Sequence, residues 1–536
     1  MEVWHLMTDN QRGTAAAVLC DLTVGTHTLG NEELLPPMEE PNSPMEHSSA
    51  IYCADTIASW IKAGFCAGPF KEPPLPNFRV NPLFMIVKRG KPRAILNMSA
   101  PQGHSFNDAL NPLAIPKLHM ANPKAIADAI YDWGTDTYLS KMDMEKAFKL
   151  IPIHPSLHRL QGFKFMGRYF VETQLIFGGG SSPALYDRLH EIFSLVVCLR
   201  AEVSQKYTYR TLDDFVVATP NQQLNISITQ TYLDLAKEIS LPLAPLDDGD
   251  KAFATKQKGT VLGIVLDARN KRWCLPADKA LHHMRAFAEV IRGDMTSTTQ
   301  IEKVLGMTQS VSQMIPAVKC LTFEFLDSLK NSCKTGASPV TSALKEQVLQ
   351  WLRIYQDASN WLPLCPPVKP APLGCCYIGT LCNLDSKGLP EGFWICSSKP
   401  SYLPWPSDFV HCTKTASGVR VIHLDHFLEA ISILVAIVTN AKLIRGRHFQ
   451  LFMESSDLVK AFSKGRMNSC RHVSAVIKAT YSVLIHLNSL PDMRSGVLHH
   501  SSHPTQVEWP TGILQWMNHV RPRADLGSKA ISSIIS

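Results

Sequence analysis

Two adjacent aspartates, Asp213 and Asp214, lie between two short runs of β-forming residues. Tyr207 to Tyr209 precede the pair and Phe215 to Val217 follow it, so the pattern predicts a β-hairpin with both carboxylates at its tip. Neighbouring anions repel each other, and a divalent cation relieves that repulsion. Oxygen ligands of this kind suit Mg²⁺. The pair therefore predicts a metal site, and a third carboxylate, Asp143, follows a β-like run upstream.

Three segments in a fixed order resemble the central palm motifs of a reverse transcriptase. They are Lys141–Pro155, Phe177–Pro183 and Leu212–Phe215. A lone Asp-Asp pair is usually a solvated turn, but the ordered set makes the resemblance specific. Other stretches extend it toward the tyrosine-recombinase retrotransposons, the DIRS-like and Ngaro-like transposable elements: Gly68–Phe70, Leu75–Pro82, Lys88–Asn97 and Ser105–Asp108.

The resemblance implies an α+β fold in which a right-hand polymerase, with fingers, palm and thumb, precedes a connection and an α/β ribonuclease H-like domain. We expect a leader or irregular segment over residues 1–50, fingers and palm over 51–270, and thumb and connection helices over 271–361. Prolines mark a linker over 362–373, and the ribonuclease H-like domain follows over 374–536. Apolar residues at helical spacing support the thumb: Leu281, Met284, Ala288 and Ile291, then Leu344, Val348, Trp351, Leu352 and Tyr355.

The palm acids have distinct implied roles. By resemblance, Asp143, Asp213 and Asp214 are catalytic and hold two Mg²⁺ ions, or Mn²⁺ in their place, during two-metal transfer of a nucleotide to a primer 3′ end. Asp143 and Asp213 are the principal ligands in this interpretation. Asp214 supports the site, so its loss should reduce activity less than loss of Asp143.

The same resemblance assigns nucleotide contacts. The Phe148 ring would pack beneath the sugar and collide with a 2′-hydroxyl, which predicts a preference for deoxynucleotides; the alternative is an ordinary core phenylalanine. Lys88 and Arg93 would clasp the triphosphate, or else be solvated loop charges. Nucleotide-binding residues are thus Lys88, Arg93, Phe148, Phe177 and Gly178, and primer-template residues are Gly179, Ser181, Ser182, Leu262 and Gly263.

Two of these assignments depend on local backbone structure. The glycine run Gly178–Gly180 would let the backbone approach the template and the nucleotide, because glycine has no Cβ, and Ser181–Pro183 would begin the template helix. Val261–Asp267 resembles the hairpin that grips the primer end, with an ordinary buried strand as the alternative. Thr211 and Ile176 depart from the family's usual tyrosine and proline.

The carboxy-terminal part resembles a ribonuclease H domain whose motifs are worn. Its acids would be Asp385, Glu429, Glu454 and Asp525, since hydrolysis by two Mg²⁺ ions needs several carboxylates from separate elements. Glu454–Ser455 stands where the family has aspartate and asparagine. The longer glutamate moves its carboxylate by about one methylene, which matters because Mg²⁺ requires near-ideal octahedral geometry. Hydrolytic activity is therefore left open.

Composition fits this interpretation without requiring it. The chain has 536 residues, 45% of them hydrophobic, and a net charge of +7, which excludes a disordered chain and suits a polyanionic partner. Fourteen cysteines show no zinc-site spacing, which favours reduced thiols. The longest apolar run, Ala430–Val438, is too short to cross a bilayer, and no signal peptide is evident. We therefore expect an intracellular protein, in cytoplasm or nucleus, without a membrane partner and not secreted.

Two function classes follow from the sequence. In the first, the chain is an RNA-directed DNA polymerase whose partners are an RNA template, a DNA primer, the RNA/DNA hybrid and deoxynucleotide triphosphates. In the second, it is a decayed or domesticated copy that keeps the fold and binds nucleic acid without turnover. The intact set Asp143, Asp213 and Asp214 favours the first, and the worn nuclease motifs favour the second. The sequence indicates no particular protein partner.

Overall fold

The structure is a computed structural model. It describes residues 3–31, 35–88, 91–249, 251–315, 318, 321–364, 377–384, 390–396, 399–404, 424–445, 448–465, 467, 470–487, 489–495 and 505–506. The chain divides into two compact units, an N-terminal unit of Met1–Asn122 and Asp136–Leu262 and a C-terminal unit of Pro123–Thr135 and Gly263–Ser536. None of the helices among the described residues is long and apolar enough to cross a membrane.

The helices alternate with strands along most of the chain. The helices are α1 (Asp9–Val24), α2 (His47–Lys62), α3 (Pro123–Trp133), α4 (Ser182–Arg200), α5 (Gln222–Glu238), α6 (Ala277–Val290), α7 (Thr298–Ser312), α8 (Phe323–Thr335), α9 (Ser342–Ser359), α10 (Leu424–Thr439), α11 (Ala441–Ile444), α12 (Ser456–Lys464) and α13 (Arg471–His486). Short 3₁₀ turns cover Trp4–Leu6, Asn107–Ala109, Ala147–Leu150, Pro155–Leu160 and Gln205–Tyr207.

The strands of the first half of the chain are β1 (Met38–Glu39), β2 (Cys66–Phe70), β3 (Arg79–Val80), β4 (Leu83–Lys88), β5 (Lys91–Leu96), β6 (Tyr138–Asp143), β7 (Gly162–Phe165), β8 (Arg168–Glu172), β9 (Thr208–Thr211), β10 (Asp214–Thr219), β11 (Phe253–Lys256), β12 (Lys258–Val261) and β13 (Ile264–Asp267). Those that follow are β14 (Arg272–Cys274), β15 (Met295–Ser297), β16 (Ala337–Pro339), β17 (Leu362–Pro363), β18 (Tyr377–Leu384), β19 (Pro390–Cys396), β20 (Lys399–Pro404), β21 (His448–Met453), β22 (Leu490–Ser495) and β23 (Thr505–Gln506).

The N-terminal unit is built on two sheets and a hairpin. One sheet has the strand order β11-β6-β10-β9, a second has the order β1-β3-β7-β8-β2, and β4 pairs with β5 alone. Strand β10 is apolar and almost wholly buried from Phe215 to Thr219, as expected of a central strand covered on both faces. Helices α4 and α5 pack on this part of the unit. The sheet that carries β6 and β10 is therefore held rigidly by its core.

An ion pair is fully buried in the N-terminal unit. Lys149 pairs with Glu172 at the end of β8, and the two side chains are 4% and 2% exposed. The ammonium of Lys149 also lies 4.8 Å from the centre of the Trp60 ring. Burial raises the pKa of the Glu172 carboxyl, and the charge of Lys149 opposes that rise. Removing one partner from such a pair leaves an uncompensated buried charge. The pair therefore ties the segment after β6 to the neighbouring sheet.

The expectation of an irregular segment over residues 1–50 is wrong for α1. Thr8 and Gln11 form a capping box at the start of this helix, which satisfies two otherwise unpaired backbone N–H groups. Only Ala15 and Val18 of α1 are buried, and Arg188 of α4 forms an ion pair with Asp21 at 2.6 Å. Helix α1 contacts α4 partly through an ion pair and buries few apolar residues. Its sequence therefore has a weak apolar periodicity, which did not predict a helix.

In the C-terminal unit, α6 to α9 pack around a cluster of rings formed by Phe287, Phe325, Trp351 and Tyr355. The helix predicted around Leu344 to Tyr355 is confirmed, and Leu344, Val348, Trp351 and Tyr355 are buried, whereas Leu352 is half-buried. On α6 the helix is confirmed but the buried face is shifted by one residue: Ala280, His283, Phe287 and Val290 face the core, whereas Leu281 is 49% exposed. Both sets have helical spacing, and packing of the large Phe287 ring selects between them.

The last sheet has the strand order β22-β21-β18-β19-β20-β23. Strand β18 runs antiparallel to β19 and parallel to β21, and β21 runs parallel to β22. Helix α10 packs on β18 and β19 and against α13. This mixed sheet with helices is the α/β arrangement expected for the carboxy-terminal part. The first residues of the predicted linker, Leu362–Pro363, form β17 and pair with β14.

We predict that His283 makes the C-terminal unit sensitive to acid. This side chain is 7% exposed, and burial, with the nearby charges of Lys279 and His282, lowers its pKa to about 4. Because the unfolded chain binds the proton near pH 6.5, folding stability should fall as pH drops from 6.5 to 4. Between pH 7 and 5 the loss should be about 2 kcal/mol.

Urea unfolding at both pH values measures this loss. In His283→Leu the pH-dependent loss should shrink by that amount, while the matched control His282→Leu, at an exposed neighbouring position, should behave as wild type. An equal pH dependence in all three proteins would contradict the prediction.

Candidate active site

The predicted hairpin with the aspartate pair at its tip is present. Strands β9 and β10 are antiparallel, and Asp214 is directly opposite Thr211, so Leu212 and Asp213 form a two-residue turn. Strand β6 lies on the other side of β10, with Asp143 directly opposite Asp214. The sheet register thus brings the ends of two strands and one turn together. The three predicted palm acids, Asp143, Asp213 and Asp214, occupy one end of this sheet.

The turn is held from two sides. The Nδ1–H of His190, on α4, donates a hydrogen bond of 2.5 Å to the Leu212 carbonyl, and the backbone N–H of Met144 donates one of 2.9 Å to the Asp213 carbonyl. Leu212 has a φ of 48°, which is unfavourable for a non-glycine residue. His190 is fully buried, and burial lowers its pKa to about 3, so its ring stays neutral. The contacts offset the strain at Leu212.

The carboxylates of Asp143 and Asp213 are destabilised by their surroundings. Burial, followed by the charges of Asp143 and Asp214, raises the pKa of Asp213 to about 6. Burial and the charge of Asp214 also raise the pKa of Asp143. Lys141 and, after it, Lys251 partly offset this rise for Asp143, and Arg93 does so for Asp213. Asp143 is half-buried and Asp213 is exposed at the turn. Carboxylates that repel each other in this way form a donor set that a divalent cation fits.

Lys141 compensates the third acid. Its ammonium lies 3.0 Å from Oδ1 of Asp214, with side chains 9% and 23% exposed, and it opposes the rise that burial causes in the pKa of Asp214. Within the described residues, no three side chains of His, Cys, Asp or Glu converge to hold a metal ion. Among the described residues, Lys141 forms its ion pair with Asp214, and no ion pair with Asp143 or Asp213 is found there. Lys141 belongs to the first palm-like motif of the sequence, but the motif alone did not predict its ion pair with Asp214.

Two aromatic side chains, Phe177 and Tyr186, pack against a third, Phe148, near the acids. The ring of Phe148 is 8% exposed and lies 5.0 Å from the ring of Phe177 and 5.8 Å from that of Tyr186, centre to centre. Phe177 is 42% exposed. The charges of Asp213 and Asp143 help to raise the pKa of Tyr186, which indicates that these rings and the acids are close. Phe148 is thus a packed side chain beside the site, as both the sugar-gate and the core interpretations require.

The glycine run has a structural reason that the sequence did not show. Gly178 has a φ of 109°, and a Cβ there would lie 2.4 Å from the Leu96 carbonyl oxygen. Asn107 fastens the run: its Nδ2 donates to the Gly178 carbonyl at 2.9 Å, and its Oδ1 accepts from the Gly180 N–H at 2.8 Å. Gly178 is therefore needed for close approach to β5. Helix α4 begins at Ser182, where Ser181–Pro183 were expected to start it.

The remaining polymerase residues are dispersed. Arg93 is exposed on β5, opposite Ile86 of β4, while Lys88 ends β4 and its side chain lies outside the described residues. Leu262, with a φ of 49°, ends the N-terminal unit, and Gly263, with a φ of 77°, begins the C-terminal unit. Lys279 donates to the Gly263 carbonyl at 3.0 Å. The flanking Val261 and Ile264 are fully buried.

In the C-terminal unit, two of the predicted nuclease acids come together. Glu429 on α10 is 4% exposed, and its Oε1 accepts the backbone N–H of Glu454 at 2.7 Å. Burial raises the pKa of Glu429 to about 7. Ser455 caps α12 by accepting the Leu458 N–H. Asp385 and Asp525 lie outside the described residues.

With this geometry in place, comparisons define the fold class. The foamy viral protease-reverse transcriptase in complex with an RNA/DNA hybrid has a TM-score of 0.50 at 12% identity, covering 94% of this chain and 63% of that chain. The foamy viral protease-reverse transcriptase dRH in complex with double-stranded DNA has a TM-score of 0.47 at 12% identity, covering 92% and 80%. The first match shows the reverse transcriptase polymerase fold, and the expected α+β class is confirmed.

The sequence comparison is more specific for part of the chain. Residues 88–266 match the family model described as Reverse transcriptase (RNA-dependent DNA polymerase). The segment that carries Asp143, Asp213 and Asp214 therefore lies within the part of the chain that matches the reverse transcriptase family model. No curated protein sequence matches the chain. The chain spans 63% of the length of the foamy viral protease-reverse transcriptase.

We predict that Lys141→Met destabilises the N-terminal unit. The substitution leaves Asp214 partly buried without its cation, which should reduce the free energy of unfolding by about 3 kcal/mol. The double variant Lys141→Met, Asp214→Asn should regain most of that loss, because the charge is removed with its partner. Chemical denaturation of the four members of this cycle measures the coupling.

A matched control is available in the exposed pair Lys164–Glu39, with side chains 37% and 50% exposed. Because water screens an exposed ion pair, Lys164→Met should reduce the free energy of unfolding much less than Lys141→Met does. If Lys141→Met were as mild as Lys164→Met, the assigned role of Lys141 would be wrong.

Proposed function

We propose that the chain is an RNA-directed DNA polymerase that extends a DNA primer on an RNA template with deoxynucleotide triphosphates. The observation that carries the proposal is the register of β6 and β10, which sets Asp143 opposite Asp214 with Asp213 at the adjoining turn. A polymerase needs acids at such a point because two-metal transfer requires ligands for both cations. The family of residues 88–266 supports the same reaction.

The residues present fit a divalent cation such as Mg²⁺, with Mn²⁺ as a substitute. Asp143 and Asp213 would be the principal ligands, because their charges repel each other, whereas Asp214 would support the site from its ion pair with Lys141. Bound there, the cations would activate the primer hydroxyl and neutralise charge on the phosphates. Arg93 would contribute hydrogen bonds to the triphosphate.

The same side chains suggest how nucleotide and template are placed. The packed ring of Phe148, held by Phe177 and Tyr186, would bar a 2′-hydroxyl. Asn107 would keep the Gly178–Gly180 backbone open to the base pair by holding it against β5. The match to a protein solved with an RNA/DNA hybrid is consistent with a nucleic-acid duplex as partner. We further propose a DIRS-like retrotransposon origin, on the motifs in the sequence.

Primer extension tests this function. We expect wild-type protein to extend a DNA primer on a poly-ribonucleotide template with Mg²⁺ and deoxynucleotides, and Asp213→Asn, Asp214→Asn to reduce extension to background, because the variant keeps side-chain size and removes the charge that holds the cations. Asp143→Asn should do the same, and Asp214→Asn alone should retain more activity than Asp143→Asn.

The control Asp234→Asn makes the same chemical change at an exposed position on α5 and should extend normally. The polymerase function would be refuted if the folded wild-type protein never extended the primer, although it bound the hybrid with the same affinity as the double variant does. That result would support the binding-module alternative.

A second prediction concerns sugar selection. Phe148→Val should lower the ratio of kcat/KM for a deoxynucleotide over the matching ribonucleotide by about 10–200-fold, the range for removal of a steric barrier in a pocket. Steady-state incorporation of both nucleotides measures the ratio. Phe170→Val makes a similar cavity elsewhere in the unit, where Phe170 stacks on Phe163, and should leave the ratio unchanged. An unchanged ratio in Phe148→Val would favour the ordinary core interpretation of Phe148.

A further inference from the structure

The sheet of the C-terminal unit places the nuclease-like acids in a definite register. Strands β18 and β21 are parallel, with Gly379 opposite Phe452 and Thr380 opposite Met453. Glu454 follows Met453 directly, so the segment of β18 nearest to the backbone of Glu454 is centred on Thr380. An acid contributed by β18 to a site with Glu454 would have to stand near this residue.

Strand β18 supplies no such acid. Its sequence from Tyr377 to Leu384 contains neither aspartate nor glutamate. Leu384, the last residue of the strand, is four positions beyond Thr380, which corresponds to ~13 Å along a strand. Glu391 of β19 is opposite Asn383, close to that same distant end. Asp385, expected as the first acid, follows Leu384 in the sequence and lies outside the described residues.

Glu429 is already engaged in another role. It is on a buried helix, and its carboxylate accepts the Glu454 N–H at 2.7 Å. The neighbouring Ser455 amide also helps to lower its pKa against the effect of burial. These amides lie between the end of β21 and the start of α12. A buried carboxylate with such partners stabilises the strand-to-helix turn, because the amides would otherwise be unpaired. Glu429 therefore serves the backbone of the element that carries Glu454.

We propose that Glu429 is a structural support of the β21–α12 turn, and that the C-terminal sheet does not hydrolyse the RNA strand of an RNA/DNA hybrid. In the part of the chain that the structure describes, two carboxylates meet at this point, and one of them binds backbone amides. Two-metal hydrolysis needs more acid ligands than that. The residues present therefore do not fit a pair of Mg²⁺ ions.

The inference places the protein in a reaction sequence, and in this respect it rests on the proposed polymerase function. Copying RNA yields an RNA/DNA hybrid in which the template strand is intact. Before the new DNA can be copied, that RNA must be removed, and removal requires hydrolysis of phosphodiester bonds in the RNA strand by a separate hybrid-specific ribonuclease. The product of this chain is then the substrate of that second enzyme.

The test uses the full chain and a hybrid with end-labelled RNA, in Mg²⁺ and separately in Mn²⁺. We expect the RNA to remain full length while a primer on the same template is extended, and to be cut when a ribonuclease H is added. RNA fragments that persist in Asp213→Asn, Asp214→Asn but vanish in Glu454→Gln would overturn the inference. Extension is scored separately, so loss of extension with intact RNA counts against the polymerase and not against this inference.

Two substitutions at Glu429 give a readout independent of activity. Glu429→Gln keeps an acceptor for the Glu454 N–H and should melt within a few degrees of wild type, whereas Glu429→Leu leaves the amides unpaired and should melt several degrees lower. Neither melting temperature should respond to Mg²⁺ differently from wild type. An Mg²⁺-induced rise in the wild-type melting temperature that is absent in Glu429→Gln, but present in Asp213→Asn, Asp214→Asn, would identify Glu429 as a metal ligand and refute the proposal.

Discussion

Electrostatic repulsion among carboxylates held by the β6–β10 pairing is the constraint on which the rest of the polymerase site depends. The register fixes Asp143 opposite Asp214, and the two-residue turn adds Asp213. Burial, together with the repulsion from Asp143 and Asp214, raises the pKa of Asp213 to about 6. The surrounding structure serves to keep this unfavourable arrangement in place. Buried β10, His190 and the Met144 amide all hold the backbone that carries the acids.

The carboxylates of the N-terminal unit differ in whether a lysine forms an ion pair with them. Lys141 compensates Asp214, and Lys149 compensates Glu172 deeper in the same unit. Burial and nearby carboxylates raise the pKa of Asp143 and of Asp213. Lys141 and Lys251 oppose the rise for Asp143, and Arg93 opposes it for Asp213, but among the described residues the ion pair of Lys141 is with Asp214. Charges with a protein partner stabilise the fold, whereas charges without one create a place for an external cation. This contrast distinguishes Glu172, which has a structural role, from Asp143 and Asp213, which are the candidate principal metal ligands.

The two carboxylate sites of the molecule diverge for a related reason. In the N-terminal unit, adjacent strands each contribute an acid at the same level of the sheet. In the C-terminal unit, β21 leads into Glu454, but β18 has glycine and threonine at the matching level, and Glu429 binds backbone amides. A sheet can thus pair its strands without acids at the matching level, because hydrogen bonds between strands do not depend on those side chains. The match to the foamy viral structure shows the fold alone, and the chemistry of each site depends on its own residues.

The sequence by itself determined the local features. The hairpin at Asp213-Asp214 and the helix through Trp351 follow from runs of β-forming residues and from apolar spacing, which act over a few residues. The start of α4 near Ser182 was expected from the family resemblance. Tertiary structure decided the rest. Which face of α6 is buried depends on Phe287 packing against rings distant in sequence, and the need for Gly178 depends on the Leu96 carbonyl. The partner of Asp214 and the missing acid opposite Glu454 are matters of strand register, which joins residues far apart in the chain and leaves no trace in local spacing.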